Sequence, residues 1–161
     1  MKYYNYDVVF QEIPDETTLA INISGCPCHC PGCHSPFLWE DEGTELSIEE
    51  FERILQPVVF DITCVCFMGG DANPAYINQL AECAKEHYPV LKVGWYTGRD
   101  VISDCIDQKN FDYIKVGSYI QELGGLNSYT TNQRMYKIRH LNSLNRKVDI
   151  TKEFQNKKGV L

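Results

Sequence analysis

Residues 25–39 read GCPCHCPGCHSPFLW, with four cysteines, two histidines and three prolines in fifteen positions. Cys26, Cys30 and Cys33 form C-x-x-x-C-x-x-C. Thiolates are soft ligands that select zinc, copper(I) or iron–sulfur clusters. Three of them in one tight loop can hold three irons of a four-iron cluster, which usually takes four cysteines. The fourth iron then stays open to an outside ligand, as catalytic zinc keeps one position free. Cys28 lies between the first two. In an extended segment it would share their face, but Pro27 and Pro31 break that geometry. The remaining spacing is complete without Cys28, which is read as a bystander thiol. A second reading is a zinc knuckle using Cys26 or Cys28, Cys30, Cys33 and His29 or His34, the core of a zinc-binding interaction module. Such sites usually draw a second ligand pair from distant sequence, and no further C-x-x-C or H-x-x-x-H occurs.

The elements that must position this loop alternate between strand and helix. Residues 17–23 alternate apolar side chains and read as a strand. Residues 46–57 read as a helix opened by a Ser47–Glu50 capping box and closed by Pro57. Residues 63–68 are a short apolar strand. Asn73 caps the next helix, with Pro74 at its first position. Strands follow at 91–97 and 112–118, with a short helix expected at 99–108, another near 131–140 and a strand near 146–150. Cys64 and Cys66 on a strand, and Cys83 and Cys105 on helices, are expected to be small core hydrophobes. Trp39 is expected in the core.

Alternating β and α units imply a mainly parallel sheet. A closed eight-stranded barrel needs about 250 residues, and this chain has 161. The expectation is therefore an α/β single domain forming an incomplete, partial parallel barrel with an open lateral face. It would span residues 1–145, followed by a basic C-terminal tail, 146–161. The polar loops after the four strands at 17–23, 63–68, 91–97 and 112–118 would face one site, since ligands sit at the carboxyl ends of parallel strands.

Net charge is −7, which argues against a nucleic-acid partner. Residues 1–133 carry a net −13 and residues 134–161 a net +6. The basic stretch is either a solvated surface or a dock for an acidic partner. No apolar run reaches the ~20 residues of a membrane span. The first residues do not read as a signal peptide. The expected compartment is the cytoplasm, where clustered thiols serve metal or chemistry rather than disulfides.

The cysteine motif, the Gly69-Gly70-Asp71 turn, Tyr96-Thr97-Gly98 and the segments DYIKVGSYIQELGGL and TTNQRMY within 112–136 together resemble the radical S-adenosylmethionine (SAM) superfamily. Within it, they resemble the activating proteins of anaerobic ribonucleoside-triphosphate reductase. The resemblance covers most of residues 5–140. Cys28 is an extra thiol in that pattern, and Asp71 stands where the wider superfamily often has Glu. The resemblance implies a [4Fe-4S] cluster on Cys26, Cys30 and Cys33, with SAM on the open iron. It implies reductive cleavage of SAM and abstraction of hydrogen from a glycine of the reductase's large subunit. It places Gly69, Gly70 and Asp71 at the methionine end of SAM, Gly32, Cys33 and His34 beside the adenine, and Thr97 on the nucleoside side. No side chain is given a catalytic role beyond the cluster and SAM. A flavodoxin- or ferredoxin-like or other one-electron donor is implied. Activation of another glycyl radical enzyme, of the formate-lyase type, is the neighbouring reading.

Overall fold

The computed structural model describes residues 1–141 and 144–155. Its strands are β1 (Lys2–Val9), β2 (Thr18–Ile23), β3 (Thr44–Glu45), β4 (Cys64–Met68), β5 (Lys92–Tyr96), β6 (Tyr113–Val116), β7 (Arg134–Leu141) and β8 (Leu144–Asp149). Its helices are α1 (Ile48–Leu55), α2 (Pro74–His87) and α3 (Thr151–Gln155). The strands form one sheet in the order β3-β1-β2-β4-β5-β6-β7-β8. The four central strands are mutually parallel. β1 and β3 on one flank, and β7 and β8 on the other, pair antiparallel.

The expected partial barrel is therefore corrected. The protein is an eight-stranded mixed sheet with three short helices among the described residues. A barrel would need further parallel strands supplied by helical crossovers, and two expected helices are absent. Residues 131–140 enter β7, which runs antiparallel to β6. There Met135 packs on one face of the sheet while Tyr136 and Ile138 pack on the other. Residues 99–107 are turns, bends and irregular backbone, and Gln108 opens a short 3-10 helix. Ser103 Oγ accepts from Cys105 N at 3.2 Å and Asn78 Oδ1 from Asp107 N at 2.8 Å. Such side-chain bonds compete with helical ones. In the basic segment, residues 146–149 belong to β8 and 151–155 to α3. Residues 156–161 lie outside the described residues.

The helices form for the reasons their sequences give. Ser47 accepts from Glu50 N at 3.1 Å and Asn73 from Tyr76 N at 3.1 Å, which satisfies an orphan donor at each helix start. Phe51, Ile54 and Leu55 of α1 and Ile77, Leu80, Ala81 and Ala84 of α2 pack on one sheet face with Val65, Phe67, Val93 and Trp95. Cys64, Cys66, Tyr113 and Met135 pack on the other face with Ile13, Leu126 and Ile150. The alternation of Cys64/Cys66 with Val65/Phe67 is the period of two that a strand imposes. Cys64 and Cys66 are the core residues expected of them. Cys105 is exposed in a turn, so its expected core role is corrected.

At the amino ends of the parallel strands, buried Glu16 gathers the Lys92 ammonium, Thr63 Oγ1 at 2.7 Å and the Tyr113 hydroxyl at 2.7 Å. Burial pushes the Glu16 carboxyl up, but Lys92, Thr63 and Tyr113 outweigh it and hold the group below its ordinary value. This cluster ties the amino-end starts of β4, β5 and β6 together and leaves the carboxyl ends for the site.

Candidate metal centre

The cysteine loop follows β2 and is closed at its base by backbone bonds from Gly25 N to Glu40 O at 3.0 Å and from Cys26 N to Leu38 O at 2.8 Å. Inside it, Cys33 N donates to Cys30 O at 3.0 Å around Pro31-Gly32. Gly32 has φ of 73°. Proline then glycine at the two central positions, with positive φ at the second, is the signature of a type II turn. That turn carries Cys30 and Cys33. Ser35 N lies 3.4 Å from Cys33 Sγ and donates to it.

The loops after β2, β4, β5 and β6 meet around one cavity of about 920 Å³. Cys26, Cys28, Cys30 and Cys33 all line it, each half-buried and free of disulfides. So do His34, Gly69, Asp71 and Thr97. The expected convergence of the four loops is present. Gly32 and Gly70 are not among the cavity's lining residues. Gly70 instead faces α2, where a Cβ would come within 2.4 Å of Ile77 Cδ1. Gly69, with φ of 104°, accepts from Trp95 Nε1 at 2.8 Å and donates to Tyr96 O at 3.0 Å. His34 is exposed and tilts against Tyr119, ring centroids 4.6 Å apart. Trp39 is half-buried rather than core; it lines the cavity and stacks on His29 at 4.9 Å.

Asp71 is the knot between loops. Its carboxylate accepts from the Thr97 hydroxyl, from Gly98 N at 2.9 Å and from Cys28 Sγ at 3.6 Å. Burial first, then the Asp71 and Cys26 charges, push the Cys28 thiol up to about 12. It is therefore a neutral hydrogen-bond donor rather than a free thiolate.

Sequence reading missed Lys115. It is buried on β6, lines the cavity, and donates to Thr97 O at 3.2 Å and Gly117 O at 2.6 Å. Burial pushes its ammonium down to about 8, while the Asp71 and cysteine charges oppose the fall. The signal was a lysine within a short apolar strand, because lysine is almost never fully buried unless paired.

Cys26, Cys28 and Asp71 have ligand atoms within 4.8 Å of one another, whereas Cys30 and Cys33 stand outside that group. Ligands of one ion crowd together. The cysteines of a four-iron cluster each hold a different iron and stand wider apart. Three half-buried thiols on one loop, an amide donating to Cys33 and a roomy cavity beside a buried ammonium fit such a cluster.

Residues 17–123 match the family model of the 4Fe-4S single cluster domain. The chain belongs to that family. The match runs from β2 past β6 and so contains the four parallel strands, the first three cavity loops and the first part of the loop after β6. The family makes a [4Fe-4S] cluster the cofactor, and the zinc-knuckle reading of the loop gives way to it. No curated protein and no solved structure matches the chain. Among the described residues, no helix is long and apolar enough to cross a membrane.

Proposed function

We propose that this single-cluster domain is an activase that reductively cleaves SAM and generates a glycyl radical on the large subunit of anaerobic ribonucleoside-triphosphate reductase. The observation that carries the reading is the meeting, in one cavity, of the cysteine loop with the Gly69–Asp71 turn, Thr97 and Lys115. The resemblance of residues 24–39, 69–74 and 112–136 to reductase activators supports the choice of substrate. A [4Fe-4S] cluster held by Cys26, Cys30 and Cys33, given one electron from a flavodoxin- or ferredoxin-like donor, would supply the reductive cleavage of SAM to methionine and a 5′-deoxyadenosyl radical that would take a hydrogen atom from a glycine.

The chain's own residues supply position and charge. Cys26, Cys30 and Cys33 hold the cluster, and the Ser35 amide partly neutralises the Cys33 sulfur. Gly69 offers bare backbone to the methionine end of SAM. A carboxylate has about four lone-pair sites, and Asp71 commits three of them to Thr97, Gly98 and Cys28. One is left for the ammonium of SAM, so Asp71 mainly holds Thr97 and Gly98 in place around the ligand. His34 and Tyr119 form the rim on the adenine side.

The test is EPR of the cluster-loaded protein mixed with the reductase, SAM and a reductant without oxygen. A carbon-centred doublet on the reductase, lost when its radical-site glycine becomes alanine, is the expected result. SAM cleavage without that radical, together with a radical on a formate-lyase type enzyme, moves the assignment to that partner. No SAM cleavage at all rejects the reading.

A further inference from the structure

α2 starts at Pro74, beside the cavity, and runs fourteen residues to His87. At about 1.5 Å per residue, its last turn lies about 20 Å away, toward the other end of the sheet. That turn carries Cys83 and His87, four residues apart and hence on one helix face. Glu52, on the neighbouring α1, meets both. Cys83 Sγ is 3.8 Å from His87 Nδ1 and 3.9 Å from Glu52 Oε1, and Glu52 Oε1 also contacts His87 Nδ1 directly. All three ligand atoms lie within 4.8 Å of one another. None of the three residues lines the cavity.

With Zn–S near 2.3 Å and Zn–N or Zn–O near 2.0–2.1 Å, adjacent ligand atoms of a tetrahedral zinc stand roughly 3.3–3.6 Å apart. Both sulfur contacts are within a few tenths of an ångström of that spacing. Only the Glu52–His87 contact must open, as zinc replaces the proton between them. One sulfur, one imidazole nitrogen and one carboxylate oxygen suit zinc better than magnesium or calcium, which prefer all-oxygen sites. Cys83 is 8% exposed, at the margin of the core, and His87 is exposed, so the ion has a path in.

We propose that Glu52, Cys83 and His87 form a zinc site that fastens α1 to α2, with water in the fourth position. This is independent of the reading of the cysteine loop. In the test, the full chain with its cluster loaded is equilibrated with Zn²⁺ alone and dialysed, and zinc is counted beside iron and sulfide. One zinc per chain is expected, with a zinc K-edge spectrum showing one sulfur and otherwise nitrogen and oxygen neighbours. Cys83→Ser and His87→Ala should each weaken zinc binding by about tenfold or more, while Cys105→Ser leaves it unchanged. Zinc should raise the unfolding temperature of the parent protein and not of the two variants. Should Cys83→Ser fail to fold, Glu52→Ala removes a ligand from the half-exposed helix face and must show the same loss. Failure of the parent protein to retain zinc, equal retention by all variants, or two or more sulfurs per zinc each overturns the proposal.

Discussion

The Asp71 carboxylate accepts a hydrogen bond from the backbone N–H of Gly98 at 2.9 Å, and so joins the loop after β4 to the loop after β5. The same carboxylate holds the Thr97 hydroxyl. Asp71→Ala leaves both donors without their partner in a buried place. It should lower unfolding stability by about 1–3 kcal/mol, measured by denaturant titration of the cluster-free and cluster-loaded protein. Asp71→Asn keeps an acceptor and should lose less. Equal stability of the alanine variant and the parent would show that the two loops are held by something else.

Cys28 differs from the three cysteines of the motif in donating its thiol hydrogen to a carboxylate. It meets Asp71 at 3.6 Å and stands where a Cβ on Gly98 would come within 2.7 Å. Serine at Cys28 can keep that hydrogen bond and should retain a full complement of iron and sulfide. Serine at Cys26, Cys30 or Cys33 should each lose most of it. Anaerobic iron and sulfide analysis reads both outcomes, and cluster loss in the Cys28 variant would make Cys28 a ligand.

Lys115 brings a buried positive charge to the cavity that the cysteines line. Lys115→Met keeps the length and removes the charge. Adding an electron to the cluster should then become harder by about 2–4 kcal/mol, the Coulomb scale at roughly 4–8 Å and an effective dielectric of about 20. The expected result is a lower midpoint in a redox titration followed by EPR. An unchanged midpoint would show that the ammonium is neutralised by its two carbonyl partners.

Glu16 predicts the acid limb of the stability curve. Its carboxyl lies below its ordinary value in the folded protein. Its contribution is therefore complete above the carboxyl's unfolded pKa and is lost as pH falls through the lower folded value. Glu16→Gln should cost about 1–3 kcal/mol at neutral pH, toward the low end because Lys92 is 43% exposed and solvent screens the pair. The variant should also show a flatter stability profile on the acid side, as pH falls below the carboxyl's unfolded pKa. Chemical denaturation across that range is the measurement.

The central strands were legible because a buried strand leaves a mark that needs no neighbour. Leu19, Ile21 and Ile23 alternate, and Cys64 to Phe67 form an unbroken apolar run. Strand direction leaves no such mark, since parallel and antiparallel strands share the period of two. That is why a parallel barrel was expected where β1 and β3 on one flank, and β7 and β8 on the other, pair antiparallel. β1 carries Asn5 and Asp7 among its tyrosines, and its residues 4–7 are exposed, so its sequence lacks an apolar face. β7 lies where a helix was expected near 131–140; Met135 and Ile138 are three apart, a spacing a helix also allows, but here they serve two faces of a sheet. The cysteine loop was readable because Pro31-Gly32 dictates its own turn. The Asp71–Thr97–Lys115 network was not, because each of its bonds links segments that only the folded sheet brings together.

That contrast separates the loop from the cavity. The cysteine loop is closed by bonds within residues 25–40, so it can take shape while the rest of the chain is still unfolded. The cavity beneath it needs Cys28, Asp71 and Thr97 from three loops and Lys115 from β6, contacts that are distant in sequence. The bonds that close the cysteine loop lie within residues 25–40, whereas those that close the cavity join distant segments, so the two do not depend on the same contacts. The thiols that line the cavity are thus gathered by a loop whose own shape does not wait on the cavity.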